Sequence, residues 1–538
     1  MGKNLKYISI LLDVCRNLDH KIIIRSLIMK LTILKLIAIV VILYVVSYTI
    51  MSLIKIDHDL YGLTLAENWC KERNLHSNNI SITQCIEQLN SNVIAFEQAL
   101  ALTLFLFVVI ATVINMEWRV SVAFTALSIA VFSALVPPST LIEKAVEWNL
   151  ILFLIGSMTL AGILRAMGIF RYLAMQIIKI GRRNPYIFVV FIALFSFVTS
   201  AALGEVTSII YVVMIILELA KVLKIDVKPL IIISVLATNT GSSALPIGNP
   251  IGVYLFFTAG LPIGMFLRYS FPLAVANLIV MLSISFVILR NYIKVLGEML
   301  KNYSKKIDIL ITHYYATLER KQNNILIGLL ILSAFVATVS LNDFISSFLT
   351  SIVGVYVDPH AFLSFIPYVY IVLSLVNIRA EETPQFLEKS VEWSSIMFFI
   401  SLFILAYTLI FTGVMTKIAY IFIKLSITKA YVLYPLMLLS SASLSSVLDN
   451  LSVIVTYTPI AISMVSIKVA SPLLYFALLF GGIFGGNYTP IGSTANIIAV
   501  SLSEKKKIKI NWGEWLKIAL AITTAQLVVS MAWLYLNN

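Results

Sequence analysis

The sequence predicts an all-α polytopic membrane protein of about 11 transmembrane helices and two re-entrant hairpins, built as two inverted-topology repeats with broken helices. Three observations lead there. Of 538 residues, 60% are hydrophobic and only 12% charged, roughly half the charged share of an average soluble domain. Charge-free runs such as 36–54, 269–289 and 325–341 approach or reach the ~20 residues a bilayer-crossing helix needs. Finally, the chain matches itself at a fixed offset, and the matching residues are the polar ones.

The N-terminal unit, 1–95, opens with Lys3, Lys6, Arg16, Lys21, Arg25, Lys30 and Lys35 ahead of the first apolar run. That run is too long for a cleavable leader and lacks a small-residue cleavage site, so it reads as a signal anchor with its N-terminus in the cytoplasm. The loop 55–95 then lies outside, where Cys70 and Cys85 are candidates for a disulfide across "CKERNLHSNNISITQC" and Asn79 begins a glycosylation sequon. Cys15 faces the cytosol.

The first repeat, 96–290, crosses near 97–116, 119–137 and 149–170 and reaches the cytoplasm at Arg182 and Arg183. The stretch 186–223 starts and ends beside basic residues, so it is a hairpin with a polar tip, Ser200–Ser208. A span interrupted at 239–250 leads outward, and 269–290 returns to a basic cytoplasmic linker, 291–322. The second repeat, 323–538, runs through 323–342, 360–378 and 394–413, a hairpin at 431–467, an interrupted span at 472–500 and a last span at 513–535. Five crossings per half, an odd number, turn the second repeat upside down. The C-terminus is placed outside a plasma membrane. The net charge of +13 is spent on these short inter-span clusters, a topology signal, and leaves no face for nucleic acid.

The repeat itself is legible. "LIEKAVEW" (Leu141–Trp148) lies over "FLEKSVEW" (Phe386–Trp393), and "SAALGEVTS" (Ser200–Ser208) over "SSVLDNLSV" (Ser445–Val453), both at offset 245. "ALPIGNPIGV" and "YTPIGSTANI" follow at offset 244. A helix that must satisfy every backbone group in lipid does not carry Pro, Gly and Asn without cause. Breaks of this kind in matching halves mark the midplane ion sites of secondary transporters, because freed N–H groups suit anions while freed carbonyls suit cations. Gly248 and Gly492 permit the backbone turns. Asn239, Thr240 and Asn249 at the first break, and Asn487, Thr489, Ser493 and Asn496 at the second, supply side-chain ligands. Glu205 and Asp449 lie at the hairpin tips, and a carboxylate at membrane depth is a functional-site candidate by default. Either could hold sodium or a coupling proton; Thr207, Asn450 and Ser452 complete the two tips. Sodium is therefore the one cofactor candidate. Arg165 and Arg268, near span ends, read as snorkelling anchors, with Arg165 also able to reach an anion.

"SSVLDNLSVIVTYTPIAI" followed by "GGIFGGNYTPIGSTANIIAVSLSEKKKIKINWGEWLK" resembles the second half of the ion-transporter superfamily's arsenite-pump-subunit and sodium/proton-antiporter permeases. Citrate-transporter-like permeases and the melanosomal P protein are similar, the divalent anion/sodium symporters more distantly so. The first half is similar through "TNTGSSALPIGNPIGV". Gly204-Glu205 stands where the family usually has Asp-Asn, and Ile251-Gly252 where it has Pro-Asn. The resemblance implies a scaffold and a mobile transport domain, a homodimer and an elevator-like displacement of substrate.

The expected function is secondary active transport of a small ion, an inorganic or carboxylate anion, coupled to sodium or protons. A sodium/proton antiporter with no organic substrate and a passive channel stay open as alternatives. No enzyme is expected: His20, His58, His76, His313 and His360 fall outside the breaks, and no zinc or nucleotide motif occurs. A partner ATPase is not addressed by the sequence.

Overall fold

A computed structural model describes residues 38–73, 80–114, 118–181, 183–223, 225–309, 312, 322–375, 383–426 and 432–537. The basic cluster through Lys35, Cys15, His20, His76, Asn79, Arg182, Lys224 and His313 lie outside the described residues. Among the described residues every regular element is a helix. Six helices are long and apolar enough to cross a membrane: Asn92–Thr112, Trp148–Ala166, Pro185–Leu203, Ile263–Ile288, Trp393–Phe411 and Trp512–Asn537. Asn324–Ser340 and Asn342–Val353 form a seventh if taken together, but they are bent by 76°. The expectation of about 11 also counted shorter pieces, which the chain supplies as apolar helices of 10–17 residues such as Ala38–Leu53, Arg119–Phe132 and Pro359–Ser374. Breaks and hairpin turns shorten these elements. The protein is an all-α polytopic membrane protein.

The two halves unfold into the same series of elements. Trp148–Ala166 corresponds to Trp393–Phe411, Ile169–Gly181 to Val414–Ser426, and Lys228–Ser242 to Leu473–Gly485. Likewise Pro185–Leu203 and Glu205–Leu223 correspond to Leu433–Ser445 and Asn450–Ser466. Packing exchanges partners between the halves. Arg119–Phe132 packs on Trp393–Phe411, while its counterpart Pro359–Ser374 packs on Trp148–Ala166. Glu205–Leu223 packs on Thr494–Lys505, and Asn450–Ser466 on Pro250–Thr258. The halves are interlocked.

Local sequence explains the hairpins. Asn184 caps Pro185–Leu203 by accepting from the Tyr186 N–H at 2.9 Å, with Pro185 in the first turn, where its missing N–H costs nothing. The helix stops at Gly204, whose φ of +89° is open to glycine and strained for other residues. In the second hairpin Ser446–Asp449 make the turn, and Asp449 keeps a φ of −60°.

The N-terminal unit clamps one segment of the second repeat. Cys70 and Cys85 are joined by a disulfide, which ties Leu60–Glu72 to Ile82–Leu89. The Trp69 indole donates to the Phe411 carbonyl at 3.0 Å, and the Gln98 amide to the Thr412 carbonyl at 3.1 Å. The Lys417 ammonium donates to the Met51 carbonyl at 2.7 Å, and the Tyr420 hydroxyl to Asp59 at 2.9 Å. Lys424 pairs with Asp57, and its ammonium holds that exposed carboxyl below the usual carboxylate range. Such an exposed pair adds little stability; the buried contacts carry the clamp. Gly413, at the turn they enclose, has φ +85°, and a Cβ there would stand 2.4 Å from Leu89 Cδ1. Gly413→Ala is expected to cost about 1–2 kcal/mol through the left-handed backbone, measured as a lower unfolding temperature in detergent; an unchanged temperature would count against the clamp.

The stretch expected as a plain linker begins as a helix, Arg290–Asn302. Ile293, Leu296 and Leu300 are buried, at the spacing of one helical face. This helix docks on Pro185–Leu203 and leaves Lys294 and Lys301 exposed.

Candidate functional site

Both interrupted spans are broken where the sequence breaks. Lys228–Ser242 ends, Pro246–Gly248 makes one 3-10 turn, and Pro250–Thr258 resumes. Leu473–Gly485 ends, Gly486–Tyr488 makes the corresponding turn, and Thr494–Lys505 resumes. Each resumed helix is capped by a candidate ligand. The Asn249 carbonyl oxygen accepts from the Gly252 N–H at 2.6 Å, and Ser493 Oγ accepts from the Asn496 N–H at 3.3 Å. Asn249 also donates back to the Ser242 carbonyl at 2.7 Å, pinning the far side of its own break. Asn496 does the same at the second break, donating to the carbonyls of Gly486 at 2.9 Å and Thr489 at 2.8 Å.

The two breaks meet. Asn239 Nδ2 lies 2.6 Å from Asn487 Oδ1, 2.9 Å from Asn496 Oδ1 and 3.1 Å from Ser493 Oγ. Asn239, Asn487, Ser493 and Asn496 are all fully buried, so these bonds form away from water, where an unmade one is costly. The last helix buttresses the junction. The Trp515 indole donates to the Asn487 carbonyl at 2.9 Å, and Gln526 Nε2 donates to Thr240 Oγ1 at 2.8 Å.

The tips lie against the breaks. Asn450, with its amide oriented to satisfy both of its polar atoms, donates to Ser445 Oγ at 2.6 Å and to the Gly492 carbonyl at 2.5 Å. Thr489 Oγ1 donates to the Ser446 carbonyl at 2.5 Å, and Thr494 Oγ1 to Asp449 at 3.3 Å. Ser452 is buried one turn further on. The first tip is different. Glu205 is 5% exposed, and its Oε2 has no hydrogen-bond partner among the described residues. It faces a cavity of about 80 Å³ shared with Thr207, Asn249, Arg165, Ser390 and Glu392. That is room for a small ion with a few waters. The exposed Arg165 lies over the Tyr211 ring, 5.6 Å from its centroid.

A sequence model described as citrate transporter matches residues 106–481 and 412–537. The chain belongs to that family. It is similar to an uncharacterized transporter of Mycobacterium tuberculosis, 24% identical over 401 residues, covering 73% of this chain and 87% of that protein. It is also similar to the P protein of Homo sapiens, 23% identical over 463 residues, 74% of this chain and 54% of that one. An uncharacterized transporter of Synechocystis matches a shorter stretch, 29% identical over 167 residues, 27% of this chain and 37% of that protein.

Within this citrate-transporter-family fold the candidate residues divide into two groups. Glu205, Thr207 and Asn249 line the cavity. Asn239, Asn487, Ser493 and Asn496 bond to one another across the breaks, while Thr240 is held by Gln526 and Thr489 by the Ser446 turn. Asp449 and Asn450 close the second tip. Gly248 turns the first break beneath Gly204, its carbonyl 3.9 Å from where a Cβ on Gly204 would stand. Gly492 offers its carbonyl to Asn450. Gln526, Trp515 and Glu392 were not among the candidates. Gln526 is an amide within the mainly apolar last span, beside Thr523, Thr524 and Ser530, a signal the sequence carries openly. Arg165, for which the sequence allows either an anchor or an anion contact, lines the cavity.

Proposed function

We propose that the chain is a secondary active transporter that moves a small carboxylate anion by alternating access, driven by a proton or sodium gradient through the first hairpin site. The observation that carries this reading is Glu205: a buried acid with a free oxygen, at a hairpin tip, facing a cavity beside a broken helix. An uncompensated carboxylate in such a place is expensive and calls for a cation. Arg165 at the same cavity gives an anion its counter-charge. The family's description as citrate transporters supports a carboxylate substrate. On this reading the two halves are inverted, the hairpins enter and leave on one side, the basic linker is cytoplasmic and the C-terminus lies outside. The exchanged packing of the halves supports that arrangement.

Cavity size favours one second reading. About 80 Å³ holds a small ion, while a tricarboxylate requires the walls to part. An exchanger of sodium for protons, with no organic substrate, fits the cavity as it stands.

Proteoliposome uptake separates the two. Labelled citrate and smaller carboxylates, offered with sodium and pH gradients imposed separately, are expected to accumulate more than tenfold under one gradient. Dye-reported sodium/proton exchange without carboxylate accumulation would establish the exchanger instead. Equilibration that ignores every gradient would mean a passive channel and end both readings.

A further inference from the structure

A second acid shares the cavity with Glu205. Glu392, half-buried at the N-terminus of Trp393–Phe411, lines it together with Ser390 of the preceding short helix. Glu205 lies within electrostatic reach of both Glu392 and Asp449. Glu392 is held in place: Ser395 Oγ donates to its Oε2 at 3.0 Å, and Ser395 in turn accepts from Arg119 Nη2 at 2.8 Å. The guanidinium of Arg119 lies 5.7 Å from the Phe398 ring centroid and also acts electrostatically on Asp449. A polar chain thus runs from the cavity wall, through a serine and an arginine, towards the second hairpin tip. Its members sit on the helices that exchange partners between the halves.

Charge counting shows what the chain is for. Of the residues lining the cavity, Glu205 and Glu392 bring two negative charges and Arg165 one positive. Glu388 and Lys389, on the short helix beside Glu392, are exposed. With all three lining groups ionised the cavity is one positive charge short, and in a partly dry site such a deficit draws in a cation.

We propose that Glu392 is an ion-binding acid of this transporter: Glu205 and Glu392 hold one monovalent cation, a proton or a sodium ion, between them across the cavity, and Arg119 steadies Glu392 through Ser395. The coupling ion is then gripped jointly by a hairpin tip of one half and a helix N-terminus of the other, so a movement of either half alters the grip. This rests on the transporter reading above and adds the residue that completes its ion site.

The test uses the full chain in detergent, with no organic substrate. Sodium is titrated at fixed pH, binding is followed with radioactive sodium, and proton release is read with a pH indicator. A sodium site gives saturable isotope binding; a proton site gives release or uptake of about one proton across a pH jump, unaffected by sodium. Glu392→Gln is expected to weaken whichever signal the parent shows by at least tenfold. Glu392→Asp should recover part of it, and Ser395→Ala, which removes only the positioning hydroxyl, should shift it two- to fivefold. Folding of each variant is checked by its unfolding temperature. Should Glu205→Gln abolish the signal while Glu392→Gln and Ser395→Ala match the parent, the role of Glu392 is overturned and the transporter reading stands. If the parent itself shows neither signal, ion coupling through this site fails, and this inference with it.

Discussion

Glu205→Gln is expected to abolish gradient-driven uptake in proteoliposomes, a loss of at least a hundredfold, while the unfolding temperature in detergent stays level or rises. Both halves of that result come from one observation. Glu205 is 5% exposed, and its Oε2 has no partner among the described residues. A buried polar atom left unmatched costs about 1–3 kcal/mol, more when the group is charged. Glutamine keeps the shape and removes the charge, so the folded state has nothing to lose by the change and the ion has no acid to bind. A gain in stability joined to a loss of activity is the mark of a group kept for function. Transport at the parental rate would remove Glu205 from the coupling site. A collapse in stability would instead make it a structural acid.

Asn239→Leu is expected to do the reverse, losing stability first. Its amide reaches Asn487, Ser493 and Asn496 across the junction of the two halves, and all four residues are fully buried. Leucine is close in size but donates nothing, leaving Asn487 Oδ1 dry and unmatched while Ser493 and Asn496 keep the bond between them. At about 1–3 kcal/mol for such a group, the loss is about 1–3 kcal/mol, a sizeable part of the stability a helical domain typically has. The unfolding midpoint in detergent measures it. Asn302→Ala, on the exposed face of the linker helix, is the control and should change stability by less than about 0.5 kcal/mol. Equal effects at the two positions would mean that the junction holds nothing together.

Much of this molecule can be read from the sequence because its signals are local. Pro246 and Pro490 cannot continue a helix, so the breaks announce themselves. Gly204-Glu205 and Asp449-Asn450 interrupt apolar runs and so mark the hairpin ends. Fixed offsets reveal the repeat. The Asn239 junction was invisible for a physical reason: its partners lie about 250 residues away, and nothing in an asparagine's neighbours says whether it will face an ion or another asparagine. Candidate ligands were therefore chosen by residue type, and several prove to be caps and clasps, as with Ser493 and Asn249. Glu392 was legible as part of "EKSVEW" but served only to set the repeat's register. The helix Arg290–Asn302 shows apolar residues at Ile293, Leu296 and Leu300, a helical period that its many lysines disguise.

At the first tip, the acid sits one position later than in the second because the backbone at 204 has turned to φ +89°. A side chain on that residue would be strained, so the carboxylate moves on to Glu205.

The exchange of helix partners between the halves carries a consequence for manufacture. While the ribosome is still working on the second half, Arg119–Phe132 can already settle on Asn92–Ile114 and Glu205–Leu223 on Pro185–Leu203, but the second-half surface that each also packs on does not yet exist. The early product must wait with the Asn239 amide unpaired, at a cost that falls only when Asn487, Ser493 and Asn496 arrive. Severed at the linker, each fragment would lack part of its packing surface, and only both fragments together could restore the whole.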